Sequence, residues 1–314
     1  MNPTVTAITH DLRAVNERIK TDAAAFVAAQ EAAYDRQIER VAEEIAPRVH
    51  GFQPILQCGP SSVGKTTTAN RLVAALEVRG VQALTVSLDN FYRGKGLAPQ
   101  LPDGSYDYES PEALDLARLA TCVRELVQTG QTQLPRYDFG AGVPAAETTL
   151  MHLSGDTAVI FEGVHAFTPS VQAAFDGASA PLHLYVNTRS RFTDGDEVLL
   201  GRRDIRLSRR LLRDERTRAC GFAGTMAMWE QVLRGEDLYI APHRLCREYI
   251  IDTTMDYEPC VLAPRLLPKL KELYGTPYEQ KAREFERVYA RFEPLATALI
   301  PHTSVLREFI GHDD

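Results

Sequence analysis

Three groups of residues in this chain are of the types and spacings that handle phosphate. The first is Gly59, Gly64, Lys65 and Thr66, which stand as G-x-x-x-x-G-K-T within QCGPSSVGKTTTANRL. Glycines at those two positions leave the backbone free to curl with its N–H groups aimed at phosphate oxygens. Ser61 and Ser62 lie on that curl. Lys65 brings a point charge to the outer phosphates, Thr66 offers a hydroxyl to Mg2+, and Thr67 offers a second hydroxyl to a phosphate. The second group is a pair of carboxylates, Asp89 in VSLDNFYR and Glu162 in TAVIFEG, each closing an apolar run. In an open parallel sheet, ligands bind beyond the carboxyl ends of the strands. There Asp89 suits taking a proton from an acceptor hydroxyl, and Glu162 suits Mg2+, usually through water. The third group is Arg202, Arg206, Arg209, Arg213 and Arg216, spaced four, three, four, three, with Arg203, Arg210 and Arg218 beside them. That spacing puts the five on one face of a helix. A positive face of this kind suits the charge that develops on a transferring phosphoryl group and a lid that closes over it. Each group also has a plainer use: a glycine turn with a chance lysine, a turn aspartate and a strand-end glutamate, a solvated or nucleic-acid-binding charged helix.

The elements that would position these residues alternate in type. FQPILQC reads as a strand running into the glycine loop, and KTTTANRLVAALEVRG as a helix stopped by Gly80. VQALTVSLD, DTAVIFEG, PLHLYVNT and REYIIDTT read as four more strands. SPEALDLARLATCVRELVQTG and GRRDIRLSRRLLRDERTR read as helices. Strands separated by helices predict an α/β fold, a parallel five-stranded sheet with helices on both faces. Residues 10–47 carry apolar positions at helical spacing (Leu12, Val15, Ile19, Phe26, Val27, Ile38, Val41, Ile45) and no Gly or Pro before Pro47. The expected organisation is an N-terminal helical extension over 1–50, a core over 51–260 with the arginine-rich lid at 202–218, and a C-terminal helical extension over 261–314. The extensions suit packing on the core or on a second subunit, and no chemistry is read in the tail.

Bulk properties narrow the function. The chain has 314 residues, 44% hydrophobic and 25% charged, enough for one large or two ordinary domains. A net charge of −7 argues against a molecule built to coat nucleic acid or an anionic membrane. The five cysteines are scattered without a C-x-x-C pair, which predicts free thiols and no zinc site. MNPTVTAITHDLRAV lacks a secretion signal, and no apolar run reaches transmembrane length. A cytoplasmic protein without membrane or nucleic-acid partners is expected.

GPSSVGKTT, VSLDNFYR, YDYESPEALDL, PRYDFG, VIFEGVHAF and RLSRRLLRD follow one another in this order. Together, over Phe52 to Glu258, they resemble the uridine kinase and phosphoribulokinase group of P-loop kinases, with uridine kinase the nearer. The resemblance implies the P-loop nucleoside triphosphate hydrolase-type three-layer fold, with ATP and Mg2+ as cofactors and a small-molecule acceptor. It implies Asp89 as the base, Glu162 beside Mg2+ and Tyr92 on the acceptor side. Arg206, Arg209, Arg210 and Arg213 are implied to hold ribose and phosphate in a moving lid, and Tyr137 and Phe139 to hold a pyrimidine. Two departures stand out. The histidine and arginine that usually follow the YDF motif are absent from FGAGVPAAET. The ribose-binding aspartate is Glu109 in the simplest register, with Asp107 close enough to compete. Three readings therefore remain: a kinase acting on the 5′-hydroxyl of uridine or cytidine, a kinase of the same fold acting on another sugar or sugar phosphate, and a nucleotide-binding regulatory module with no acceptor.

Overall fold

A computed structural model describes residues 8–312 of the chain. Five strands form the central sheet in the order β10-β7-β2-β6-β3. They are β2 (Phe52–Cys58), β3 (Gln82–Ser87), β6 (Thr157–Glu162), β7 (Leu182–Asn187) and β10 (Tyr249–Asp252), and every neighbouring pair is parallel. Their residues are apolar on both faces, as a sheet covered on both sides requires. Along β6, Ala158 and Ile160 enter one core while Val159 and Phe161 enter the other. The first core is closed by α1 (Leu12–Ile45), α2 (Lys65–Val78), α5 (Arg202–Arg218), α6 (Phe222–Gly235), α7 (Glu258–Leu270) and α8 (Glu279–Tyr289). The second is closed by α3 (Leu116–Thr129) and the turn containing α4 (Pro169–Gln172). The predicted five-stranded α/β architecture is the one observed.

Several details depart from the sequence reading. The N-terminal helix is interrupted at Asp22, whose φ of −158° and ψ of 83° are not helical; its carboxylate accepts the Ala25 N–H at 2.9 Å and so restarts the helix with its own cap. A small second sheet was not foreseen. In it β1 (Ile8–Asp11) pairs parallel with β8 (Ser190–Asp194), which pairs antiparallel with β9 (Glu197–Leu200). These strands are four or five residues long, too short for an apolar alternation to show. A hairpin of β4 (Gln131–Asp138) and β5 (Val143–His152) projects from the end of α3.

The tail is stitched to the core by a proline. Pro264 within α7 has no N–H for the Cys260 carbonyl, and that carbonyl instead accepts the Leu295 N–H at 2.9 Å. The chain then turns back and ends in the short helix α9 (Arg307–Ile310), packed on α5. All five cysteines are free thiols, and among the described residues no helix is long and apolar enough to cross a membrane.

Candidate active site

The phosphate loop joins β2 to α2. Gly59 passes so close to β7 that a Cβ there would overlap the Val186 carbonyl, and Gly64, at φ +81°, forms the left-handed N-cap of α2. The Gln57 amide donates to the Lys65 carbonyl at 2.6 Å, and Lys65 Nζ donates to the Pro60 carbonyl at 3.2 Å. The loop is therefore braced from beneath, and α2 starts directly from it, where a helix N-terminus attracts anions.

Glu162 ends β6 in register with Gln57 of β2 and Ser87 of β3. It accepts the Thr66 hydroxyl at 3.2 Å, which brings together the two residues expected at a metal. Burial pushes the Glu162 carboxyl above its usual range; the Lys65 ammonium opposes this and the Asp89 carboxylate adds to it. Asp89 lies one residue past the first residue of the turn that follows β3, Leu88–Phe91. Its charge reaches in two directions, raising Glu162 on the phosphate side and both Glu109 and Tyr92 on the other.

That other side carries aromatic rings. Tyr92 and Tyr137 are 5.8 Å apart between centroids, and Tyr137 and Phe139 5.0 Å, with Phe139 59% exposed. Asn90 fixes this ladder to the Asp89 turn by accepting the Tyr137 N–H at 3.2 Å. Burial raises the Glu109 carboxyl, while Arg210 and Lys65 draw it back. Asp107 is differently placed: it is buried, held by Arg234 at 3.1 Å and the Tyr239 hydroxyl at 2.9 Å, and its carboxylate accepts the Glu109 N–H at 3.2 Å. Asp107 thus supports the backbone of Glu109, whose own side chain packs on Gly235. Past Phe139 the chain turns tightly through Gly142 (φ +72°), and the stem of Lys95 packs where a Cβ of that glycine would stand.

The arginine helix α5 is far more buried than a solvated face would be. Arg209 is fully enclosed; it donates to both oxygens of Glu258 at 2.5 and 2.7 Å, to the Thr253 carbonyl at 2.8 Å and hydroxyl at 3.1 Å, and to the Ser62 carbonyl at 3.4 Å. Arg206 donates to the Ser61 carbonyl at 2.9 Å and to Glu236 at 2.7 Å. Arg210 reaches the Ser61 hydroxyl at 3.0 Å. These three therefore brace the phosphate loop through its own polar groups. Arg210 and Arg213 both donate to the buried Asp214, and Arg218 lies 3.6 Å from the same carboxylate. Asp214 and Glu308, the latter 4.0 Å from Arg213, are two carboxylates against three guanidiniums, which leaves a positive excess, and the charge of Asp89 is felt at Arg218. Sequence spacing found the arginines but not their acidic partners: Asp214 is near in sequence, whereas Glu236 and Glu258 arrive from other elements.

A glycine loop at a helix start, one carboxylate at a strand end and another in the turn just past a second strand, and converging arginines define a P-loop phosphotransferase that acts on a hydroxyl group. Residues 55–256 match the model of the phosphoribulokinase / uridine kinase family, and the chain belongs to that family. Among curated relatives, uridine-cytidine kinase B of Dictyostelium discoideum is 28% identical over 201 residues, 63% of this chain and 73% of that protein. Uridine kinase of Schizosaccharomyces pombe is 30% identical over 179 residues, 56% of this chain and 35% of that protein. The match thus spans about a third of the fission yeast kinase. A solved structure described as a possible uridine kinase from Bacillus stearothermophilus superposes with a TM-score of 0.48 at 17% identity, covering 69% of this chain and 98% of that one.

Proposed function

We propose that the protein transfers the γ-phosphoryl group of ATP to the 5′-hydroxyl of a pyrimidine nucleoside, uridine or cytidine. The observation that carries this reading is the position of Asp89 in the Leu88–Phe91 turn: on one side β3 ends in register with Glu162 of the Thr66–Glu162 pair, and on the other Asn90 accepts the Tyr137 N–H of the aromatic ladder. A carboxylate so placed lies between a phosphate site and a site for a flat, hydroxylated acceptor.

The oxygen pair of Thr66 and Glu162 fits Mg2+, which takes one or two protein oxygens and fills its octahedron with water and phosphate. Bound there, the ion would neutralise charge on the outer phosphates. Lys65 and the first amides of α2 hold the phosphate chain. Arg210, Arg213 and Arg218 supply the positive excess left by Asp214 and Glu308. Asp89 orients the acceptor hydroxyl and takes its proton, Glu109 accepts the ribose hydroxyls, and Tyr137 with Phe139 holds the base by its faces.

The turn at Gly142 supports a second reading, a sugar or sugar-phosphate acceptor. Lys95 fills the space there, and the stretch offers no side chain to read a pyrimidine edge. Incubating the enzyme with Mg-ATP and a panel of nucleosides, sugars and sugar phosphates, with products identified by mass, separates the two. A nucleoside 5′-monophosphate supports the first reading. Phosphorylated sugar with no nucleotide product replaces it with the second. Nucleotide binding without any product points to a regulatory module.

A further inference from the structure

The C-terminal segment, residues 301–312, lies across the phosphate loop. Val305 covers Gly64 so closely that a Cβ on the glycine would overlap its methyl group. The Thr67 hydroxyl donates to Glu308 Oε2 at 3.0 Å, and Oε1 of the same carboxylate is 4.0 Å from Arg213. Arg216 donates to the Glu308 carbonyl at 2.8 Å. The Phe309 ring stands 4.9 Å from the Arg209 guanidinium. An anion therefore sits on the hydroxyl at the start of α2, in the field that favours phosphate there, and an aromatic plane sits on the next arginine. A nucleotide would present the same two features in the same order, a first phosphate followed by a planar base.

We propose that this segment is an autoinhibitory strap that occupies the donor nucleotide's first-phosphate and base positions and must swing aside before Mg-ATP can bind. The proposal rests on the P-loop kinase reading of the site. The strap is held together as one piece, its Val305, Leu306 and Phe309 buried against the core while it is closed. Arg307 gathers it by donating to the carbonyls of Thr297, Ile300, Pro301 and Gly311 at 2.6–3.4 Å, so that Val305, Glu308 and Phe309 travel together. Upstream, Leu295 is pinned to α7 through Cys260, which places the pivot between Leu295 and Thr297. A cavity of about 680 Å3 along its outer edge reaches Thr66 and Thr67, bordered by Asn70, Arg71 and His302. An anion has a path to Thr67 beside the strap before the strap leaves.

Glu308→Gln keeps the shape of the side chain and removes the charge that competes with phosphate. Calorimetric titration of a non-hydrolysable Mg-ATP analogue into the full chain is expected to give a Kd about tenfold lower for Glu308→Gln than for the native protein. Backbone amides of residues 304–311 are expected to exchange hydrogen faster once the nucleotide is bound, with both proteins melting as folded chains beforehand. A Kd within twofold of the native value, together with amides of 304–311 that become better protected on binding, overturns the strap and makes the segment a fixed wall of the site. If neither folded protein binds the nucleotide at all, the phosphate-loop reading falls, and the strap falls with it.

Discussion

Replacing Glu258 by alanine strands a charge inside the protein. Arg209 and Glu258 are both fully enclosed and share two hydrogen bonds of 2.5 and 2.7 Å. Burial acts to lower the Arg209 pKa, and the Glu258 carboxylate more than offsets it, so the net direction is upward. With the carboxylate gone, the guanidinium keeps hydrogen bonds only to the uncharged Thr253 and Ser62 oxygens, and the Glu308 and Asp252 carboxylates act on it from further away. Removing one partner of a buried ion pair costs about 3–5 kcal/mol. Unfolding entropy runs at about 2.1 cal/mol/K per residue, or about 0.7 kcal/mol/K over this chain. A loss of about 4 kcal/mol then lowers the melting temperature by about 6 °C. Calorimetric melts at neutral pH measure this. The double replacement Arg209→Met with Glu258→Leu removes both charges, and it should recover most of the loss because an apolar pair of similar volume is often neutral there. A single variant that melts within about 1 °C of the native protein, or a double variant no better than the single, would refute the assignment of Arg209 and Glu258 as a mutually dependent brace.

Three further outcomes are expected. Asp89→Asn lowers kcat by about 10²–10⁴-fold, the scale of one lost general base, while nucleotide affinity by calorimetry stays within twofold; an unimpaired kcat removes Asp89 from the chemistry. Tyr137→Ala breaks a ladder with rings at 5.8 and 5.0 Å. Losing stacking of about 0.5–1.5 kcal/mol raises the acceptor KM by about two- to tenfold, and initial-rate kinetics should show the KM for ATP unchanged. Glu109→Gln gives a pH-dependent gain in stability. The Glu109 carboxyl is raised by burial in the folded protein, so the folded state holds its proton more tightly than the unfolded chain does. Ionising Glu109 therefore costs stability as pH climbs from the ordinary carboxyl value of about 4.5 through the raised folded value. The variant should melt higher than the native protein at pH 8 and show no such gain at pH 4, with acceptor affinity reduced; an equal shift at both pH values would exclude this cause.

The chain's local patterns were sufficient for the central sheet and the phosphate loop. Both depend on short-range rules: apolar runs of strand length, helical spacing between them, and glycines where the backbone must take positive φ or pass close to another strand. Gly64 and the strand-end position of Glu162 were legible for that reason, while Asp89, expected to close its strand, lies two residues further on in the Leu88–Phe91 turn. The small sheet of β1, β8 and β9 was not, because its strands are too short to print a period and β1 reaches β8 across about 180 residues of chain.

Choices between neighbours required the fold. Asp107 and Glu109 are equivalent in sequence, yet Arg234 and Tyr239 arrive from α6 and the turn after it to hold Asp107, which leaves Glu109 to the side facing Arg210 and Asp89. The arginine face was plain from spacing alone, but spacing cannot say which charges are neutralised. That depends on desolvation and on carboxylates such as Glu258, 49 residues away from Arg209 along the chain. The tail shows the same limit most clearly. In sequence, residues 301–312 are an unremarkable polar and apolar stretch; only the turn-back after α8 lays Glu308 on Thr67 and Val305 on Gly64. Spacing determined which residues can grip a phosphate. Long-range packing decided which of them are free to do so, because the strength of a charge or a hydroxyl is set by whatever the distant chain places against it.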